Sequence, residues 1–272
     1  MAVSLMRSAL FVPATRLDRV AKAWASGADA VIVDLEDAVA ADAKDAAREQ
    51  LAAYLGSGAQ AVWVRINAGD TEWFEADLAA CRGQAGLAGL VLPKAEDDAA
   101  LRQATAAQQP VMALVETPAG VDQLDAIAAV PGVQRLCFGI LDFMEALGTR
   151  LHTAAAQAVL QALRFRVLLA SRRHGLADPL DTVYPDFSDA AGLQSFAEEA
   201  RDLGFGGMLC IHPKQVPVVH AVHAVSAAEL AWARRVLAQH EQTGLLAFQL
   251  DGQMVDQPVL SRARRILARS GT

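Results

Sequence analysis

Eight short apolar runs, separated by stretches of helical period, leave this chain few folds to choose from. They span Arg7 to Ala14, Ala28 to Asp37, Ala61 to Ala68, Ala88 to Ala95, Pro110 to Thr117, Val133 to Asp142, Leu180 to Phe187 and Gly206 to Pro213. Each is rich in Val, Ile and Leu without polar alternation. That is the pattern of a strand buried on both faces, which calls for a parallel sheet covered by helices. The helical candidates between them are Arg16 to Ser26, Ala43 to Tyr54, Thr71 to Cys81, Asp98 to Ala107, Gly120 to Ala129, Thr153 to His174, Leu193 to Leu203 and Ala227 to His240. Asp97 and Ser226 stand where an N-cap oxygen is needed, and Gly175 and Gly204 where a left-handed stop is. Strand and helix alternating eight times predict an α/β fold, a (β/α)₈ TIM barrel.

The length of 272 residues suits one such barrel with a short extension. The barrel is expected over residues 1–242, with 243–272 as a C-terminal strand and helix extension that serves as a lid and packs at a subunit interface. In it, Gly244 to Val255 reads as a hairpin turning at Asp251-Gly252, and Pro258 opens a helix to Arg269. A formal net charge of −7 disfavours nucleic acid or an anionic membrane as partner, since both need a basic face. No apolar run approaches the roughly 18 residues of a membrane span, and no signal-sequence pattern opens the chain. Cys81, Cys137 and Cys210 lie far apart in apolar segments and read as small buried hydrophobes. A reducing, cytoplasmic compartment is the expectation.

In a barrel of this kind the chemistry sits where strands end and loops begin. Here those positions hold Asp34, Glu36 and Asp37, then Arg65 and Asn67, Lys94, Glu116, Asp142, Tyr184 with Asp186, and His212. Carboxylates crowding one rim repel unless a cation compensates them. Oxygen ligands without a His or Cys cluster favour magnesium, with manganese as the alternative, and magnesium takes only one or two protein carboxylates. Glu116 and Asp142, each closing a long buried run, are the expected pair. Asp34 and Asp186 are equally well explained as helix caps. Arg65 is suited to pair with Glu36 or Asp37, or to hold a carboxylate or enolate through its planar fork. His212, His220 and His223 read as packed or surface histidines. The long connection after Asp142 begins FMEALGTRLH and is expected to order as a loop over the mouth.

Taken in order, the stretches RSALFVPA, SGADAVIVDLEDAV, VWVRINAGDTEWFEADL, GLVLPKAE, ALVET, FGILDF, VYPDF, LGFGGMLCIHPKQ and DGQMVDQPV resemble the citrate lyase beta subunit family of the malyl-CoA lyase and HpcH/HpaI aldolase superfamily. The resemblance implies a magnesium-dependent carbon–carbon lyase, homo-oligomeric as a trimer or hexamer, acting on a CoA thioester of malyl, citramalyl or citryl type to give a 2-oxo acid. It implies Glu116 and Asp142 as metal ligands, Glu36 and Asp37 as the acidic pair around the metal waters, and Arg65, with Arg16 and Lys94, as substrate-binding groups. Asp256 matches an aspartate that relatives supply from an adjacent subunit. The chain departs from the family pattern at Ala14, Thr15 and Leu17, at Pro118-Ala119 and at Leu141.

Other chemistries fit the same residues. A malyl-CoA-type thioesterase would use the same metal site with water as nucleophile. A subunit of a larger complex would need an acyl-carrier partner. A Schiff-base aldolase through Lys94 would need a depressed amine pKa beside carboxylates that raise it.

Overall fold

Each of the eight apolar runs contains one strand of a closed parallel barrel in the computed structural model, which describes residues 5–106, 109–150 and 153–270. The strands are β1 (Ser8–Pro13), β2 (Ala30–Asp34), β3 (Val62–Arg65), β4 (Leu87–Leu92), β5 (Val111–Val115), β6 (Val133–Phe138), β7 (Leu180–Asp181) and β8 (Gly207–Cys210). Each pairs with its sequence neighbours, and β8 closes onto β1 with Ala9 opposite Leu209.

The strand period of two divides the core. Ile32, Trp63, Val91, Met112, Leu114, Cys137, Leu180 and Leu209 form one buried cluster inside the barrel. Val31, Val33, Val62, Val64, Leu90, Leu92, Ala113 and Leu136 alternate with them and belong to the larger cluster beneath the helices. Trp63 fits inside because its register partner is Gly89, where a Cβ would stand 2.4 Å from the indole and 2.6 Å from the Pro110 carbonyl. All three cysteines are buried and unpaired, and burial pushes each thiol up to about 12.

The helices are α1 (Val20–Ala25), α2 (Lys44–Gly56), α3 (Phe74–Cys81), α4 (Asp98–Thr105), α5 (Pro118–Asp122), α6 (Leu124–Ala128), α7 (Ile140–Ala146), α8 (Ala154–Arg173), α9 (Ala190–Leu203) and α10 (Gln215–His223). Asp97 caps α4 as expected, and Gly175 and Gly204 adopt φ of 66° and 115° after α8 and α9. The main correction concerns the sixth run. Its strand stops at Phe138, and Ile140 to Ala146, expected as strand and then loop, is helical because Ile140, Phe143 and Met144 supply a buried stripe at helical spacing. The end of the expected mouth loop, at 151–152, lies outside the described residues.

Two compact units divide the chain at 222/223, twenty residues before the expected boundary at 242. The second unit holds α11 (Ala227–Thr243), β9 (Phe248–Leu250), β10 (Gln253–Val255) and α12 (Gln257–Arg269). Helix α11 goes with the extension because Ala233 and Val236 share a small core with Val255, Leu260 and Ala263. The hairpin turns at Asp251 and Gly252, with φ of 52° and 78°. The stretch Gln215–Thr243 is apolar enough by composition to span a bilayer, but it is two helices, broken at 224–226 where Ser226 forms a capping box with Glu229.

At the N-terminal end of the barrel, Arg7 grips Asp29 through Nε at 3.0 Å and Nη2 at 2.9 Å, and Ser8 bonds His220 of α10 at 2.8 Å. His220 is thus a packed, hydrogen-bonded histidine, as expected. Burial would raise the Asp29 carboxyl, but His220 and Arg7 hold it well below its ordinary value. A depressed folded pKa gives stability that is complete above the ordinary carboxylate range and is lost as pH falls through it. Asp29→Asn is therefore expected to lower stability by about 1.5–3 kcal/mol at neutral pH. The gap to wild type should shrink in urea titrations taken from neutrality to below about pH 4.

Candidate active site

Strand ends β2 to β6 bring acidic and basic side chains to one mouth, and their order of burial sets their roles. Asp34, the last residue of β2, is buried and accepts Nε and Nη2 of Arg65 from β3 at 2.7 and 2.6 Å. Its oxygens also accept the amides of Glu36 at 2.9 Å and Ala38 at 3.2 Å, so Asp34 shapes the turn that presents Glu36 and Asp37. The partner expected for Arg65 was Glu36 or Asp37. The bidentate partner is Asp34, while Nη1 lies 2.9 Å from Glu36 Oε2 and 3.6 Å from Asp37 Oδ2. Burial pulls the guanidinium pKa down, but Asp34, Glu36 and Asp37 together leave it above its ordinary value. Arg65 also lies 4.9 Å over the Phe11 ring.

Glu36 is buried, and its Oε1 accepts Lys94 Nζ at 2.5 Å. Burial raises its pKa against the pull of Arg65 and Lys94. The lysine responds in the opposite sense: burial lowers it, the Glu36 contact and nearby acids more than compensate, and its pKa ends raised. A protonated amine locked onto a carboxylate is no Schiff-base nucleophile. Lys94 adopts a φ of 45°, a conformation in which its backbone amide donates to Glu116 Oε1 at 2.9 Å.

Glu116 follows β5 and is buried. Among the described residues no cationic side chain pairs with it, and the Lys94 amide is its hydrogen-bond donor. Burial first, then the charges of Glu36 and Asp142, push its carboxyl up to about 8. Asp142 stands in the first turn of α7, not on a strand, and makes no hydrogen bond or ion pair among the described residues. Glu116, Asp142, Asp37, Arg65 and Thr182 line one cavity of about 430 Å³, walled by Phe11, Leu114, Phe138, Leu209 and Ile211. The β6–α7 junction passes so close to Glu116 that a Cβ on Gly139 would lie 2.5 Å from Oε2.

The remaining sequence candidates are placed elsewhere. Arg16 is exposed and paired with Asp18 at 3.0 Å, and it does not line the cavity. Asp256 caps α12, accepting the Val259 amide at 3.3 Å, within the second unit. Asp186 accepts amides of Ser188 and Asp189 at 2.9 and 3.2 Å, Tyr184 donates to Asp189 at 2.8 Å, and His212 stacks on Phe187 at 4.6 Å.

The sequence did not point to Lys44. It lies at the start of α2 and is buried, and its ammonium donates to the carbonyls of Leu35 and Glu36 at 2.8 and 3.0 Å and to Asn67 Oδ1 at 2.6 Å. Asp77 in turn holds Asn67 through its backbone and side-chain amides at 2.9 and 2.6 Å. This network fixes the β2 and β3 loops from behind. No single-residue signal announces it, since the carbonyls that bury the lysine come from a different element.

Residues 7–213 match the HpcH/HpaI aldolase/citrate lyase family. The chain belongs to that family. Residues 170–272 match a second description, a C-C bond lyase of the TIM-barrel fold. Among this family member's relatives, the citrate lyase subunit beta-like protein of Deinococcus radiodurans is 40% identical over 284 residues and covers 97% of both chains. The (3S)-malyl-CoA thioesterase of Cereibacter sphaeroides is 36% identical over 272 residues, covering 97% of this chain and 94% of its own. The solved structure of CitE from Mycobacterium tuberculosis, in complex with magnesium, acetoacetate and coenzyme A, matches with a TM-score of 0.84 at 39% identity over 99% of each chain.

The residues present fit a hard dication. Two carboxylates with free lone pairs face one cavity, and burial and mutual repulsion raise the inner one, a situation that a divalent cation relieves. Among the described residues no three His, Cys, Asp or Glu converge, so a two-carboxylate site completed by water and substrate oxygens is what remains.

The raised Glu116 has a consequence for stability. Between its ordinary value of 4.5 and about 8 the folded protein keeps a proton that the unfolded chain releases, so this site disfavours the fold increasingly as pH rises. Metal-free Glu116→Gln, which cannot ionise, should melt near wild type at about pH 5 and higher than wild type at about pH 8. Differential scanning calorimetry in EDTA reads this, and equal melting temperatures at both pH values would refute it.

Proposed function

We propose that this chain is a magnesium-dependent carbon–carbon lyase that cleaves a 3-hydroxy-acyl thioester, of malyl-, citramalyl- or citryl-CoA type, to an acetyl thioester and a 2-oxo acid. The observation that carries the reading is the pair Glu116 and Asp142, two carboxylates facing one cavity with no cationic side chain paired to either among the described residues. They would hold the metal. Manganese, with the same oxygen preference, is the expected substitute. Magnesium bound there supplies Lewis-acid polarisation of the substrate hydroxyl and of the carbonyl that forms from it.

The chain's own residues supply the rest. Loss of the hydroxyl proton to water at the open mouth would let the oxygen electron pair form the new ketone as the adjacent carbon–carbon bond breaks, leaving an acetyl-thioester enolate. Arg65 would stabilise negative charge at the mouth: Nε and one N–H of Nη2 are taken by the Asp34 clamp, which leaves Nη1, with both its N–H groups outside the clamp, best placed to meet substrate or enolate oxygen. Glu36 bridges Arg65 and Lys94 and so holds the two cations beside each other; Arg65 lines the cavity, whereas Lys94 is not among its lining residues. Asp256 would return a proton to the enolate carbon, from its own or a neighbouring subunit. Phe11, Leu114, Phe138 and Leu209 give the cavity an apolar wall that would face the carbon chain of the substrate.

A second reading has its own support. The (3S)-malyl-CoA thioesterase of Cereibacter sphaeroides, a relative at 36% identity, is a hydrolase by name. Incubation of malyl-, citramalyl- and citryl-CoA with the purified protein separates the two, since only a lyase yields a 2-oxo acid. Activity is expected to vanish in EDTA and to return with magnesium. Glu116→Gln and Asp142→Asn are each expected to lose ~100-fold or more in kcat/KM. Turnover unchanged by EDTA, or free hydroxy acid and thiol as the only products, would overturn the lyase assignment. Activity only on an acyl-carrier-bound substrate would place the chain in a larger complex. If Asp256 acts across a subunit boundary, mixing inactive Asp256→Asn with inactive Glu116→Gln subunits restores part of the activity.

A further inference from the structure

We infer that Thr182 is a positioning residue for the metal site: by accepting one backbone hydrogen bond from α7 it fixes Asp142 against Glu116. The inference rests on the reading of Glu116 and Asp142 as the magnesium ligands. Thr182 follows the two-residue strand β7 and is fully buried, yet it lines the cavity. Its Oγ1 accepts the amide of Ile140, the first residue of α7, at 3.0 Å. Asp142 stands two residues further on, in the same turn.

Three observations make this contact more than helix capping. First, α7 has no side-chain cap of its own: Gly139, at its N-cap, has no side chain, so an oxygen from another strand does what a local Ser or Asp ordinarily does. Second, the Asp142 carboxylate makes no hydrogen bond or ion pair among the described residues, which leaves its place to be set through the backbone that carries it. That backbone is pinned at two points, the Gly139 amide on the Val115 carbonyl at 3.0 Å and the Ile140 amide on Thr182. One pin belongs to the strand that leads into Glu116, the other to β7. Third, the Thr182 side is rigid. The preceding residue, Asp181, is fully buried and accepts Arg164 Nη2 at 2.7 Å and Nε at 3.3 Å, so a sealed ion pair anchors the strand end that carries the threonine. Gly139 completes the arrangement, because any Cβ there would collide with the Glu116 carboxylate.

Valine keeps the shape of threonine and removes the acceptor, whereas serine keeps the acceptor and drops the methyl. Magnesium affinity is to be measured by titration calorimetry on the full chain for wild type, Thr182→Val, Thr182→Ser and Asp142→Asn, with circular dichroism and melting temperature recorded in EDTA. Thr182→Val is expected to bind magnesium about 10- to 100-fold more weakly, and Thr182→Ser within about threefold of wild type. Saturating magnesium should then restore most of the turnover of Thr182→Val. If Thr182→Val binds magnesium like wild type while Asp142→Asn does not bind it, Thr182 is structural only and the inference is overturned with the metal reading intact. If Asp142→Asn binds like wild type, the ligand assignment itself fails. Should the valine variant not fold, Thr182→Ala against Thr182→Ser decides the same question, equal affinities refuting the inference.

Discussion

One guanidinium makes the mouth of this barrel possible. Arg65 spans β2 and β3 with a bidentate grip on Asp34 and turns its third nitrogen toward Glu36 and Asp37. Without it, the three acid side chains at the end of β2, Asp34, Glu36 and Asp37, would repel one another in a partly dehydrated cleft. With it, and with Lys94 on Glu36, the β2 and β3 side of the mouth is close to balanced. The β5 and β6 side is not. Among the described residues no cationic side chain pairs with Glu116 or Asp142, an asymmetry that fits the proposal that this side takes its cation from solution.

The same division explains where the polar scaffolding lies. Behind the balanced side, Lys44 collects two loop carbonyls and Asn67, and Asp77 locks the asparagine in turn. Behind the unbalanced side, the pair of Arg164 and Asp181 is sealed from water, both side chains fully buried. A buried ion pair is weak as a source of net stability, because dehydrating both charges offsets most of their attraction, but breaking one partner leaves a stranded charge. Such pairs serve to fix geometry. Here each network stands directly behind loops that carry cavity residues, and none is needed to close the barrel, whose strands are held by their own ladder and by Val, Leu and Ile packing.

What the sequence conveyed, and what it withheld, follows the range of the interactions. The eight strands were legible because each is a local run buried on both faces, and the caps at Asp97 and Ser226 because a cap is a contact over three residues. Glu116 was legible for the same reason, as the first charge after a buried run. Asp34 was read evenly as a helix cap or a rim carboxylate, and its role as the clamp of Arg65 was not legible, since that arginine lies 31 residues away. Asp142 was placed on the wrong element: the apolar residues up to Leu141 continue a strand pattern, and only the register of Ile140, Phe143 and Met144 against the core turns them into helix. Lys44 and Arg164 look like ordinary charges on amphipathic helices. Their burial is decided by carbonyls and carboxylates that the fold alone brings to them.

This limits what Arg65 can do in a reaction. Two of its three nitrogens are committed to Asp34, and the third is shared between Glu36, whose Oε2 lies 2.9 Å away, and the exposed Asp37 at 3.6 Å. An incoming anion therefore competes with Asp37, the longer, solvent-exposed and weaker of the two contacts, and leaves the buried Glu36 in place. Substrate binding would then displace an acid side chain from the rim at the same moment that it brings negative charge in, so the local balance changes little. In the proposed lyase reaction, a charge that develops only as the carbon–carbon bond breaks would meet a guanidinium already oriented by Asp34, with little reorganisation left to perform. The bidentate clamp that looks like competition for the substrate would then be what holds the arginine ready for that transition state.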